Sequence, residues 1–326
     1  MKNIIYLLVC LLFVSCSNPK REFQQEMTSF PIEKSLQAEK IEVNEVFNPS
    51  GLMWKKNCLF VSDVISNDTM IYQYSLPDFS CIYKGGSKGQ AEDEFQSIPI
   101  FCRTTTDKVY IWGFTPFSIK SFTMDNFDLS SFSKKYELPI STDTYNDMHI
   151  VRDSILIMEE VTQLAIKKIN LNNQQVIGEI SFEKDEHGES FFCENTGNMI
   201  ANDSLIIYAY MFKNQIDFYD MDDMKLKKRL IGDNIAPKIV LYDLENTIYR
   251  QFEIVAGKNY FYVRCPVKKN SNKECEIKVF DYSGNSIARY ELDAMLHAYA
   301  VDEQNKVIYG YNRDAFEGTF LKYCFQ

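Results

Sequence analysis

Short runs in which apolar and polar residues alternate follow one another along almost the whole chain, and one run recurs five times. Its copies lie at 71–78 (IYQYSLPD), 119–126 (IKSFTMDN), 166–173 (IKKINLNN), 216–223 (IDFYDMDD) and 277–284 (IKVFDYSG). Each puts an apolar-rich strand before a polar turn. With Tyr74, Phe122, Ile169, Tyr219 and Phe280 taken as equivalent, the steps are 48, 47, 50 and 61 residues. A repeat of that length holds four short strands, the size of one blade of a ring of small sheets. Before these runs stand hairpins in which two apolar strands flank a polar turn, at 53–60, 101–110, 150–157, 200–207, 254–261 and 300–308. They number six.

The last unit, ending at 320–326, has room for only three strands, while the alternating segment 40–47 has no hairpin partner of its own. That segment is expected to supply the missing outer strand and close the ring, which removes the edges an open sheet would present. The expected fold is all-β: a six-bladed β-propeller of four-stranded antiparallel blades over 36–326, closed by an N-terminal strand. A sandwich does not account for the regular step, and an α/β sheet needs amphipathic helices between strands. Only one short helix is expected, around 234–249.

The N-terminus changes the compartment. Lys2 is followed by eleven apolar residues, 4–14, and by Ser15 and Cys16. A membrane span needs about 20 apolar residues, so this run has the layout of an export signal instead. The stretch Phe13, Val14, Ser15, Cys16 resembles the bacterial lipoprotein cleavage box, with Phe13 where Leu is usual. That resemblance implies a signal peptide over 1–15 and lipidation of Cys16. The polar, aperiodic stretch 16–35 reads as the lipidated cysteine and a flexible tether.

Charge and composition exclude some partners. A net charge of -10 argues against nucleic acid, because phosphate contacts need clustered Lys and Arg. Three His without close spacing and no C-x-x-C give no metal signature, and no cofactor motif is present. Residues 85–89 (GGSKG) satisfy G-x-S-x-G, yet that elbow requires a helix packed behind an α/β strand, so no catalytic residue is assigned. Once Cys10 is cleaved and Cys16 lipidated, seven cysteines remain, and Cys265 and Cys275 bracket a polar loop in which they could pair.

Residues 89–95 (GQAEDEF) resemble the Gly-x-Gly-Pro-x-Glu-Phe signature of TolB-like six-bladed β-propeller lipoproteins of Bacteroidota; Gly89, Glu94 and Phe95 match, while Ala91 and Glu92 replace the Gly and Pro. With the strand grammar and the lipobox, this resemblance spans nearly the whole chain. It implies a lipoprotein on the periplasmic or cell-surface side of the outer membrane. The expected role is a binding scaffold for a protein or glycan partner, held to the membrane by its lipid anchor. The alternative is a propeller hydrolase or lactonase using a tunnel-bound divalent ion. Long loops on a rigid scaffold usually carry binding, and here they gather at one end of the blades. Asp93, Glu94, Phe114, His187, Arg250 and Arg313 are the candidate binding residues of that end.

Overall fold

The computed structural model describes residues 23–326 apart from 44, 47, 65, 67, 139–144, 161–163, 183–191, 234–235, 241–242, 244–245, 268–273, 315–317 and 326. The export segment, Cys16 and His187 therefore lie outside the described residues. The chain opens with three short strands, β1 (Gln24–Glu26), β2 (Ile32–Leu36) and β3 (Glu39–Glu42). Four-stranded antiparallel meanders follow. The first is β4 (Pro49–Lys55), β5 (Cys58–Asp63), β6 (Ile71–Ser75) and β7 (Cys81–Gly85). The second is β8 (Phe95–Thr104), β9 (Lys108–Phe114), β10 (Ser118–Thr123) and β11 (Lys134–Glu137). The third is β12 (Tyr145–Val151), β13 (Ile155–Glu160), β14 (Ala165–Asn170) and β15 (Gln175–Ser181), joined to the second where β12 pairs in parallel with β8. After α1 (Phe192–Asn195) come β16 (Gly197–Ala201), β17 (Leu205–Tyr210), β18 (Gln215–Asp220) and β19 (Leu226–Ile231). Then follow β20 (Glu253–Ala256), β21 (Tyr260–Pro266), β22 (Cys275–Asp281) and β23 (Ser286–Leu292). The chain ends on β24 (Ala298–Asp302), β25 (Val307–Tyr311) and β26 (Thr319–Cys324), with β3 as their outer neighbour.

The first strands of successive meanders adjoin in cyclic order, β4, β8, β12, β16, β20, β24 and back to β4. This is the arrangement of a β-propeller. The five sequence-equivalent residues Tyr74, Phe122, Ile169, Tyr219 and Phe280 fall on β6, β10, β14, β18 and β22, each the third strand of its meander, and all are buried. Middle strands such as β9 and β17 are buried along almost their entire length because each sheet is covered on both faces by its neighbours. Among the described residues the apolar core divides into six clusters, each filled from two consecutive meanders. One of them unites the first and the last: Leu59, Val61 and Tyr74 pack with Tyr309, Tyr311 and Phe320.

Four expectations need correction. The strand-forming region starts at Gln24 rather than near Leu36. Residues 24–26 and 32–36, read as tether, pair in parallel with the outer edges of β19 and β23, because those edges would otherwise leave backbone groups unpaired. Phe30 anchors the strap between them, its ring 5.4 Å from that of Phe280. Second, Cys265 lies opposite Glu276 and Cys275 opposite Pro266, so the two side chains point to opposite faces of the sheet and enter different apolar clusters. Both are free thiols, not a disulfide. Third, the described residues of 234–249 form turns and irregular chain; α1 is the one helix among the described residues. Fourth, the turn expected at 125–126 is a ten-residue connection, 124–133, lengthened so that Phe127 and Leu129 can fill the cluster between the first two meanders.

Phe30→Ala is expected to lower stability by about 2 kcal/mol, part of the cost of emptying a full Phe site because the ring is only half-buried. Urea unfolding checks this through a lower midpoint at unchanged slope.

Candidate functional site

Connections between second and third strands, and between successive meanders, leave one end of the molecule, and the residues singled out from the sequence sit there in different roles. Glu94 is a loop lock. Its carboxylate accepts from the Ala91 amide at 2.8 Å and the Ser87 hydroxyl at 3.4 Å. A Cβ on Gly89 would lie 1.9 Å from Glu94 Oε2, so only glycine allows this approach. The matching positions of the Gly-Glu-Phe signature thus hold a turn together, with Phe95 fully buried beneath it. Phe114, expected as a binding residue, is instead a core residue: it is fully buried, its ring 4.3 Å from Phe95, with Lys120 Nζ 4.5 Å from its centroid. Asp93 is exposed, Arg250 is half-buried with its amide donating to the Met211 carbonyl at 2.7 Å, and Arg313 is exposed with Nε 3.9 Å from Asp314 Oδ1. Asp93, Arg250 and Arg313 belong to three separate loops.

A different group of residues converges on the axis. Arg103, on β8, reaches across to β20, where its guanidinium donates to the Ile254 carbonyl and, at 3.0 Å, to Glu253 Oε1. Arg264, on β21, is only 9% exposed; Nη1 donates to the Leu296 carbonyl and Nη2 stands 3.7 Å from Glu253 Oε2. Burial lifts the Glu253 carboxyl above its usual range against the opposing pull of both arginines. On β12, Asp147 accepts the Met199 amide at 2.9 Å and is raised by burial. His149, beside Arg103 in the parallel pairing, lies with Nε2 3.1 Å from the Met199 carbonyl and accepts the Ala201 amide on Nδ1 at 3.3 Å. This pattern fixes the neutral tautomer protonated on Nε2, and burial pushes the imidazole down to about 3. His149 therefore acts as a structural bridge between meanders.

Glu159 extends the group. The Tyr208 hydroxyl lies 2.7 Å from Glu159 Oε1 and 2.8 Å from the Asn195 carbonyl. One hydroxyl proton cannot serve two acceptors. The network closes when a protonated Glu159 donates to Tyr208 and Tyr208 donates to Asn195. Burial, reinforced by Asp147, pushes the Glu159 carboxyl up to about 8, in agreement with that assignment.

An aromatic row adjoins Arg264. Phe212 and Tyr249 are 5.2 Å apart, Tyr249 stacks on Phe252 at 5.4 Å, and the Arg264 guanidinium lies 5.2 Å from the Phe252 centroid. His297 follows Leu296, with Nε2 3.2 Å from Asp314 Oδ2. Its pKa is lowered mainly by burial, against the attraction of Asp314. Sequence reading passed over these groups. The available signal was a lone charge inside an otherwise apolar strand, as at Arg103 and Arg264, since such a charge must find a partner when buried. Among the described residues no group of three or more His, Cys, Asp or Glu is arranged to hold a metal ion.

No protein-family model matches the chain, and no curated protein matches it. Solved structures do. A candidate exported protein of Bacteroides fragilis is similar at 12% identity and TM-score 0.58, over 92% of this chain and 98% of the other. A member of the DUF4221 family from Bacteroides vulgatus is similar at 10% identity and TM-score 0.55, over 90% and 98%. The Cps50 (Swd1) β-propeller domain of Myceliophteria thermophila is similar at 9% identity and TM-score 0.51, over 88% and 100%. Likeness at such identities establishes the propeller fold alone.

Two outcomes follow from the axial network. Arg103→Met removes the hydrogen-bonded arginine from Glu253, leaving only Arg264 at 3.7 Å, and is expected to cost about 3 kcal/mol, most of it regained when Glu253→Gln is added; a double-mutant cycle in urea measures this coupling. For Glu159, a folded-state pKa above the unfolded one means that its share of stability is intact below about pH 4.5 and is lost as pH rises through about 8. Glu159→Gln is expected to flatten the fall in stability across that window, read from thermal unfolding at a series of pH values.

Proposed function

We propose that this protein is a lipid-anchored β-propeller of the bacterial cell envelope, a six-bladed ring closed by the N-terminal strand Glu39–Glu42, whose long-loop end is a binding scaffold. The ring reading is supported by the cyclic adjacency of the first strands and by the packing of the first meander on the last. Closure is supported by the antiparallel register of β3 on β26, with Glu39 opposite Lys322 and Glu42 opposite Thr319. Export and lipidation rest on residues 1–16, and the description of the Bacteroides fragilis relative as a candidate exported protein is in keeping with them.

The observation that carries the binding reading is the Arg103–Glu253 bridge. Side chains from opposite walls meet across the axis, so a partner arriving at this end meets loops and a filled floor. Loops displayed on a rigid scaffold suit recognition of a protein or glycan surface.

Mass spectrometry of material crosslinked to the membrane-extracted protein tests this reading, comparing the natural protein with the double variant Asp93→Ala, Arg313→Ala, both exposed positions. A stoichiometric partner captured by the natural protein and lost from the equally stable variant is expected. The same captured set with both forms would remove the loop end as the binding surface. Intact mass gives the anchor: the acyl increment is expected to vanish in Cys16→Ala.

A further inference from the structure

The outer edges of the sheets are finished unequally. β19, β23 and β26 each carry a strand of the N-terminal strap, whereas β15 ends its sheet with no strand beyond it among the described residues. Two other edges, β7 and β11, are also uncovered, but they carry Lys84 and the pair Lys134 and Lys135, and edge lysines discourage association. β15 carries no lysine and no proline. Instead Val176 and Ile177, near its start, are 54% and 48% exposed. Exposed apolar side chains grouped on an open edge mark a contact surface.

The course of the N-terminal chain says what lies against it. Fourth strands such as β15 and β19 start from short turns, at the end of the molecule opposite the long loops. β1 is parallel to β19, with Gln24 opposite Arg229 and Glu26 opposite Ile231, so followed backwards it heads for the short-turn end. Phe23, whose carbonyl accepts the Arg229 amide at 2.7 Å, is the first described residue on that course, and its ring is exposed. Cys16 stands seven positions before it, a reach of at most about 25 Å. To lay the long-loop end on a bilayer, that short stretch would have to double back along β1 and past the connection after Ile231. Phe23 and the β15 pair share one corner: Met224, in the turn leading to β19, packs on Gly178 of β15 so closely that a Cβ there would lie 2.5 Å from its sulfur. The carboxylates of that turn are paired, Asp220 with Lys227 at 2.9 Å, Asp222 with Arg152 at 3.1 Å and Asp223 with Lys225 at 3.2 Å. The corner therefore offers apolar side chains among balanced charge, the character of a surface that enters a lipid headgroup layer.

We propose that the short-turn corner of the third and fourth meanders, with Phe23, Val176 and Ile177 as its apolar contacts, is the surface that rests on the lipid bilayer. The proposal deepens the lipid-anchor reading and rests on it, since the anchor brings this corner to the membrane and the apolar side chains fix the orientation. In that orientation the long loops point away from the bilayer, where a partner can reach them. Attraction comes from apolar burial rather than net charge, so an uncharged phosphatidylcholine surface suffices.

Phosphatidylcholine vesicles doped with a phosphatidylcholine that carries a diazirine on its acyl chain, and loaded with the membrane-extracted protein, test this. After irradiation, peptide mass spectrometry is expected to find lipid adducts on Phe23, Val176 and Ile177. Ile98 and Val240, exposed apolar residues of the long-loop end, serve as controls and are expected to carry about fivefold fewer or less. The double variant Val176→Glu, Ile177→Glu is expected to lower the adducts on Phe23 about threefold or more, with the acyl increment on intact mass and the urea midpoint unchanged. The map of the natural protein stands without that variant. Adducts on Ile98 and Val240 instead, or a Phe23 yield that the variant leaves unchanged, would overturn the proposal while a retained acyl increment upholds the anchor. Absence of the increment refutes the anchor and the lipid surface with it. A crosslinked protein mapped to Val176 and Ile177 in place of lipid overturns the proposal too and assigns the edge to a protein partner.

Discussion

Every meander in this protein is buried by its two neighbours, so no single sheet can exist without the ring. Middle strands such as β9, β17 and β25 are apolar on both faces, which would be insoluble on an isolated hairpin stack. The packing of the first meander against the last is the most demanding instance, because it joins segments from opposite ends of the chain. There Tyr74 meets Phe320 at 6.1 Å and Phe79 meets Tyr309 at 5.5 Å, edge-on contacts between rings that fix the angle at which the two sheets meet.

Once the ring is closed, its axis becomes a place where charge is hidden. Arg103, Arg264, Asp147, Glu253 and Glu159 all sit on first or second strands, and their alternatives to mutual pairing would be desolvated charge. Some of these groups are fully served, like His149 between Met199 and Ala201. Others, around Arg264, are not.

Much of the fold was legible because a repeated strand pattern leaves a periodic trace: Tyr74, Phe122, Ile169, Tyr219 and Phe280 are buried third-strand residues in successive meanders. The strap was not legible. Residues 24–26 and 32–36 are mostly exposed on their sheet edges, so they show no apolar alternation, and their backbone pairing leaves no trace in the sequence. The Cys265 and Cys275 pairing failed for a reason local sequence cannot express, a one-residue offset in register that turns the thiols to opposite faces. The loop residues were picked by length and polarity, which finds exposed Asp93 and Arg313 but cannot tell that Glu94 folds back on Gly89 or that Phe114 belongs to the core. The axial charges escaped because their partners stand on other strands: Glu253 faces Arg264 from the neighbouring strand and Arg103 from a different meander.

The strap also imposes an order in time. Glu39 is joined to Lys322 across 283 positions, and Phe23 and Met27 exchange backbone hydrogen bonds with Arg229 and Ile231. In synthesis Glu39 precedes Lys322 by about 15 to 60 s at ordinary elongation rates. The strand β3 is therefore available long before β26, the strand whose edge it covers.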